Sequence, residues 1–318
     1  MSERGEPNGR KDPVGPGGPV GPVGLVGLGL VGTALAARLA QAGFAVLGFD
    51  RRDEACAAFA RSGLRGAGVA TTPAEIGQRC ERVVLAVFDT AGVLEVVEGP
   101  RGLLSAPDAA TRLIVDCSTG EPDALRALAA RLAARGVDFL EAPLSGSSRQ
   151  IAAGTATLLL GGAAHVAAAP ANAALLDALS PRRIHAGGAG MGACAKLATN
   201  LVLGLNRAVL AEGFVFAEQL GIAPSTFLEL VLATPARSEA ALAKGGQMVR
   251  GDFGAPQSRI RQHLKDVELM LDSANAAGQR LPLSQAHASL LRAAVAAGDG
   301  ELDNAAVIRQ LRRERSPG

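Results

Sequence analysis

Lys196 and Asn200 sit four residues apart in the run Gly190-Met191-Gly192-Ala193-Cys194-Ala195-Lys196-Leu197-Ala198-Thr199-Asn200. A helix over this run carries the amine and the amide on one face. The chain has 32 basic residues, of which only Lys11, Lys196, Lys244 and Lys265 are lysine. In so arginine-biased a composition, a retained lysine points to a group that must lose its proton. A lysine shifted by burial can act as a general acid or base, which arginine cannot. Read alone, the ordinary account of Lys196 is a side chain snorkelling from an amphipathic helix. Two further motifs move the balance toward chemistry.

The first is Gly27-Leu28-Gly29-Leu30-Val31-Gly32, which follows an apolar run and opens a helical pattern. Glycines at these positions permit a tight turn, close approach of backbone to a pyrophosphate, and close strand–helix packing. The helix N-terminus adds amide donors and a favourable dipole. Asp50 closes the next apolar run about 20 residues on, where an acid grips the adenosine ribose. This points to a dinucleotide. Asp50 would repel a 2′-phosphate and so favours NAD, while Arg51 or Arg52 could neutralise that phosphate and admit NADP. The second motif is a pair of small polar segments at predicted strand ends, Asp116-Cys117-Ser118-Thr119-Gly120 and Glu141-Ala142-Pro143-Leu144-Ser145-Gly146-Ser147. Hydroxyl and backbone donors there suit a carboxylate, although simple loops would read the same way.

The elements that must hold these residues follow from the apolar pattern. Short runs at Val23–Val26, Ala45–Phe49, Val83–Val87, Leu113–Asp116, Val137–Leu140 and Thr157–Leu160 alternate with helical stretches, and a last run ends at Ile184. Such alternation predicts a mostly parallel, doubly wound sheet of α/β class. After the glycine cluster at 187–192 nearly everything reads helical: Met191–Leu220, Pro224–Leu232, Ser238–Val249, Arg259–Ala277 and Leu283–Ala297. The expected organisation is therefore a Gly/Pro-rich disordered tail over 1–21, a dinucleotide-binding domain over 22–186, and an all-α domain over 187–318 for substrate and oligomerisation.

Composition narrows the function classes. A net charge of +2, no Trp or Tyr and 3% aromatic residues leave neither the basic footprint nor the stacking platforms of a nucleic-acid binder. The two apolar stretches, 23–37 and 197–220, are interrupted by Gly and Arg38 or by Asn200, Asn206, Arg207 and Glu212, which argues against membrane spans. Cys56, Cys80, Cys117 and Cys194, and His165, His185, His263 and His287, lack metal-ligand spacing, so no metal is expected. The cysteines read as small buried thiols of a reducing cytoplasm, and the charged start carries no secretory signal.

Taken in order, GLGLVG, DCSTG, EAPLSG with the later Gly154-Thr155, GMGACAKLATN, and Phe253 leading to Leu264-Lys265-Asp266 resemble the β-hydroxyacid dehydrogenase family over residues 22 to about 310. That family includes 3-hydroxyisobutyrate dehydrogenase and the tartronate and glyoxylate/succinic semialdehyde reductases. The resemblance implies a Rossmann domain, a helical C-terminal domain, and NAD(P)-linked oxidation of a small β-hydroxyacid. It also implies Lys196 as the catalytic lysine with Asn200 as its substrate-orienting partner. Ser145, Gly146 and Ser147 would cradle the substrate carboxylate, and Asp266 would support the site. Ser118 and Thr119 would border the nicotinamide ribose, with Lys265 reaching the cofactor from the helical domain. The family associates through its helical half, which implies a homodimer or homotetramer.

Departures gather near the substrate loop. Ser147 stands where the family has a second glycine, and a positive φ there would strain it. Thr199 replaces an asparagine, and a glycine expected near Arg149-Gln150-Ile151 is missing. Arg237 and Ser238 fall near the pocket-lining region and would be able to read a second acidic group, although a solvated helix surface is the plainer account. Lys244 reads as surface. Three rival readings share the scaffold: a decarboxylating relative, for which the helical domain looks short; an imine reductase, against which Lys196 argues; and a nucleotide-binding regulator without catalysis, against which the Lys196/Asn200 pair argues.

Overall fold

A parallel sheet forms first because its strands are short, continuous and apolar on both faces, a pattern that requires cover from helices on each side. The computed structural model describes residues 21–314, so the tail read from the sequence lies outside the described residues except for Gly21. The elements run β1 Val23–Val26, α1 Leu30–Gln41, β2 Val46–Phe49, α2 Asp53–Ala60, β3 Ala67–Val69, α3 Pro73–Arg79, β4 Arg82–Leu85, α4 Thr90–Glu98, β5 Leu113–Asp116, α5 Pro122–Ala134, β6 Asp138–Glu141, β7 Leu144–Ser145, α6 Ser148–Ala152, β8 Thr157–Gly161, α7 Ala164–Ala168, α8 Pro170–Leu179 and β9 Arg183–Gly187. The helical part follows as α9 Met191–Gln219, α10 Pro224–Ala233, α11 Glu239–Arg250, α12 Ile260–Ala276, α13 Pro282–Ala296 and α14 Val307–Arg313.

The strand order is β3-β2-β1-β4-β5-β6-β8-β7, with β9 beside β8. From β3 to β6 all pairs are parallel, which is the doubly wound Rossmann arrangement. The sheet then turns antiparallel at β8, so the short β7 folds back on it, Leu144 facing Leu158 and Ser145 facing Thr157. Sequence periodicity missed β3 and β7, which at three and two residues are too short to show a pattern. One core lies on each face of the sheet, around Leu35, Leu39 and Leu140 and around Ile76, Leu103 and Leu128.

α9 is the axis of the helical domain, and α10 to α14 pack around it through Phe214, Ala211 and Leu210. Its 29 residues are long and apolar enough to cross a membrane by length and composition. The helix also carries buried Lys196, Asn200 and Arg207, and it meets β8 and β9 at its start. Lys244 is not on the surface: it is 5% exposed and bonds both oxygens of Asp303 at 2.8 Å. Its helix α11 turns that face inward onto α9, and a partner 59 residues away leaves no local trace around Lys244.

The two parts meet where α9 begins. Glu141, at the end of β6, accepts the amide of Gly190 with Oε1 and that of Ala193 with Oε2, the latter at 2.7 Å. A Cβ on Gly192 would lie 2.7 Å from the Glu141 Cβ, and one on Gly161 would lie 2.3 Å from the Gly192 nitrogen. Only glycines let helix and strand touch this closely. Replacing Glu141 with Leu orphans two buried amides and should lower unfolding free energy by about 2–4 kcal/mol. Glu141→Gln, which keeps one acceptor, should lose roughly half of that. Equal denaturant midpoints for all three proteins would show that the cap contributes nothing.

Candidate active site

The cofactor cleft is built at the β1–α1 turn. Gly27 has φ +97°, and a Cβ there would stand 2.2 Å from the Ala86 carbonyl oxygen. A Cβ on Gly32 would stand 1.7 Å from the Gly27 carbonyl oxygen. Those two glycines serve packing. Gly29 differs: the nearest atom to its missing Cβ is the Arg52 guanidinium at 3.9 Å, so the space above it is open. Leu30 and Val31 begin α1 there, with no acidic residue in the first turn. Free helix N-terminal amides facing open space fit a pyrophosphate. The cleft of about 650 Å³ is lined by Leu28, Gly29, Leu30, Thr33, Arg52 and Arg149, among others.

Asp50, 8% exposed, accepts the Leu28 amide on Oδ2 at 2.8 Å. Arg52 grips both of its oxygens at 2.9 Å. Burial pushes the carboxyl up, but the Arg52 side chain, the Arg52 and Leu28 amides and the guanidinium charge together hold it below its usual value. Both arginines are exposed, but Arg52 is the one that bonds Asp50 and lines the cleft. Their adjacency in sequence hid which one turns inward.

Farther along the same carboxyl edge of the sheet, Ser118 Oγ accepts the Val87 amide at 3.0 Å, and the Ser118 amide donates to Asp116. Burial lifts the Asp116 carboxyl to about 6. Lys265 crosses from α12 to donate to the carbonyls of Phe88 at 3.1 Å and Thr119 at 2.8 Å. It thus ties the helical domain to the β4 and β5 ends, where a nicotinamide lies in this topology.

Lys196 is 9% exposed and donates to the Leu144 carbonyl oxygen at 2.6 Å. Burial, the dominant cause, lowers its pKa to about 8. The Asp266 charge works against that, while Lys265 and Arg207 add to it. Asn200, on the same face of α9, donates to Asp266 Oδ2 at 3.2 Å. The Lys265 amine stands 2.9 Å from the other Asp266 oxygen. Asn200, Asp266 and Lys265 are thus joined by contact, Lys196 feels the Asp266 charge from the same helix face as Asn200, and the Leu144 carbonyl was a partner that side-chain reasoning had no way to find.

The substrate loop departs from expectation. Gly146 takes φ +153°, and a Cβ there would press on Ala156 at 2.9 Å. Ser147 has φ −74° and is unstrained, because the demanding backbone falls entirely on Gly146. Ser147 opens α6 with a capping box: its Oγ accepts the Gln150 amide, and its own amide donates to Gln150 Oε1 at 2.8 Å. The Ser147 amide is thus already engaged, and Gln150 competes with any carboxylate for it. Ser145 and Gly146 remain half-buried at the loop apex. Arg237 is exposed, while Ser238 caps α11 through the Ala241 amide. Of the four cysteines, all free, Cys80 and Cys117 are buried and Cys56 and Cys194 half-buried.

Comparison with known proteins agrees with this geometry. Residues 22–187 match the family model described as the NAD binding domain of 6-phosphogluconate dehydrogenase. Residues 190–311 match the one described as NAD-binding of NADP-dependent 3-hydroxyisobutyrate dehydrogenase. The 2-(hydroxymethyl)glutarate dehydrogenase of Eubacterium barkeri is 32% identical, over 89% of this chain and 92% of its own. The L-threonate dehydrogenase of Cupriavidus necator is 30% identical, over 92% and 96%. A Salmonella typhimurium structure described as 3-hydroxyisobutyrate dehydrogenase superposes with a TM-score of 0.78 at 28% identity, covering 90% of this chain and 98% of that one. With a nucleotide turn whose open glycine fits a pyrophosphate and a buried lysine on α9 at the start of the helical domain, the chain belongs to the β-hydroxyacid dehydrogenases and is an NAD(P)-dependent enzyme of that family.

Proposed function

We propose that the protein moves a hydride reversibly between nicotinamide and the alcohol carbon of a small β-hydroxyacid, with Lys196 as general base in oxidation and general acid in reduction. The observation that carries this reading is the buried amine of Lys196, lowered to about 8 and grouped with Asn200 and Asp266. The bound nicotinamide supplies the hydride acceptor or donor. Leu28, Gly29, Leu30 and Val31 would hold its pyrophosphate, Asp50 the adenosine ribose, and Ser118, Thr119 and Lys265 the nicotinamide end.

A substrate carboxylate placed at Ser145 and Gly146 sets the hydroxyl toward Lys196, whose Leu144 contact fixes the amine's direction. In oxidation the neutral amine takes the hydroxyl proton, and in reduction the ammonium returns it. Asn200, held by Asp266, is available to orient the same oxygen. A lysine so buried and so linked to Asp266 gives an imine reductase or a non-catalytic regulator no evident use for it.

Because the amine works near its own pKa, the oxidation rate should rise with pH through about 8 and the reduction rate should fall over the same range. Lys196→Ala should lower kcat by roughly 10²–10⁴-fold while cofactor binding, followed by nicotinamide fluorescence, stays intact. A Lys196→Arg enzyme with near-normal turnover and an unchanged pH profile would sink the proton-transfer role.

For the cofactor, Asp50 favours NAD, while Arg52, Arg149 and Arg259 at the same cleft admit the phosphate of NADP. Arg52→Ala frees Asp50 for the ribose hydroxyls and should raise the NAD-to-NADP ratio of kcat/KM by about tenfold, with Asp50→Asn moving it the other way. Unaltered ratios in both variants would dissociate this pair from cofactor choice.

We further propose a homo-oligomer. The side of α9 opposite Lys196 exposes Met191, Val202, Val209, Phe216 and Leu220, a continuous apolar line that a second copy would cover. Sedimentation equilibrium should give a dimer or tetramer for the wild type and a smaller species for Val209→Asp/Phe216→Asp. A monomeric wild type would end this part of the proposal.

A further inference from the structure

The face of α9 that carries Lys196 and Asn200 continues inward through Gly204 to Arg207, at intervals of four, four and three residues. Beyond that point it becomes apolar, with Ala211 and Phe214 both fully buried. Arg207 is therefore the polar group at which the catalytic face turns apolar. It is 6% exposed, yet its Nε and Nη1 reach no hydrogen-bond partner among the described residues.

No neighbouring carboxylate answers that charge. Asp303 is within its electrostatic influence, but Lys244 occupies both carboxylate oxygens and the amides of Gln257 and Ala305 add to them. His263 on α12 and His287 on α13 lie against the same stretch, their rings 5.1 Å apart. They fill the space beside Gly204, where an added Cβ would stand 2.5 Å from His263 Nε2. That nitrogen, too, has no partner. Burial drives His263 well below the usual imidazole range and His287 to about 4, so both rings are neutral donors or acceptors. Burial also lowers Arg207, to about 10, which leaves it charged at neutral pH.

A desolvated guanidinium without an anion destabilises the fold, and an apolar side chain of similar length would pack there more stably. Planar donors in a buried setting match a carboxylate. Arg207 lies about 10 Å beyond Asn200 along the axis. Helical side chains lean toward the N-terminus, which carries the guanidinium back toward Asn200. Lys196, Asn200 and Arg207 keep 9%, 8% and 6% exposure on this one face.

We propose that Arg207, with His263 Nε2 beside it, is the receptor for the second carboxylate of a dicarboxylic β-hydroxyacid whose first carboxylate rests at Ser145 and Gly146. The proposal rests on the hydride-transfer reading and narrows its substrate class. It also moves recognition of a second acidic group from exposed Arg237 to the closed end of the catalytic face.

The test compares a matched pair: 2-(hydroxymethyl)glutarate and 2-(hydroxymethyl)butanoate, which lacks only the distal carboxylate. Wild-type kcat/KM should favour the diacid by about tenfold or more. Arg207→Met should cut diacid turnover by on the order of 100-fold, the penalty of an unpaired buried carboxylate. It should cost the monoacid far less, with both substrates compared at a pH above the Lys196 titration so that loss of the Arg207 charge does not change the amine's protonation. Arg207→Lys, keeping charge without the planar fork, should fall between. Thermal melts of the same proteins should show Arg207→Met at least as stable as wild type. A wild type indifferent to the distal carboxylate, or an Arg207→Met that loses both substrates equally, overturns the receptor.

Calorimetry of glutarate and butanoate with the full chain separates the two readings. Arg207-dependent binding of glutarate without turnover of either hydroxyacid keeps the receptor and removes the hydride-transfer reading. Turnover of the monoacid with no glutarate preference removes the receptor and keeps the chemistry.

Discussion

The site depends on one junction, the seating of the α9 N-terminus on the end of β6. Glu141 accepts two of the helix's free amides, and Gly161 and Gly192 let the backbones touch. Three residues after Ala193 comes Lys196, which bonds Leu144, itself three residues after Glu141. A single stretch, 141–146, therefore caps the helix, accepts the lysine and forms the apex of the substrate loop. Amine and loop cannot drift independently, because moving either breaks bonds to the same strand. Such rigidity is what a proton transfer over hydrogen-bond distance requires.

Burial at that junction also sets the chemistry. Two opposed influences act on Lys196: loss of water, which favours the neutral amine, and the Asp266 charge, which favours the ammonium. Water loss prevails because Asp266 is shared. It receives the Asn200 amide on one oxygen and stands beside the Lys265 amine on the other. A carboxylate committed to a second lysine attracts the first less. Lys265 thereby serves two ends, joining the domains through the Thr119 carbonyl and sharing the Asp266 charge that acts on Lys196.

How much was legible follows from the range of each signal. The Rossmann half and the five long helices show in the sequence because their apolar periods repeat locally, and GLGLVG, Asp50 and the Lys196–Asn200 spacing are local too. What stayed hidden is relational. Nothing in Arg51-Arg52 says which side chain turns onto Asp50. Nothing near Lys244 names Asp303, whereas the Ser147-x-x-Gln150 spacing is a local capping-box signal masked by the substrate-loop reading. Ser147 appeared strained only because the positive φ could not be assigned to Gly146 beforehand. Arg207, His263 and His287 come from three helices, so no window of sequence contains them together.

The scarcity of lysine deserves a different account from the one composition suggests. Lys196, Lys244 and Lys265 are all drawn inward, yet in the proposed reaction Lys196 alone of the three exchanges a proton. Lys244 answers a buried carboxylate with both bonds at 2.8 Å, and Lys265 spans two carbonyls from different loops. Both tasks need a compact ammonium on a thin stem, which fits between backbones where a planar guanidinium does not. Arginine remains where a fork is useful, on Asp50 and on Glu98. Arg207 is the exception that gives the pattern its force: a fork in a buried place, set among neutral imidazoles, whose Nε and Nη1 meet no partner among the described residues.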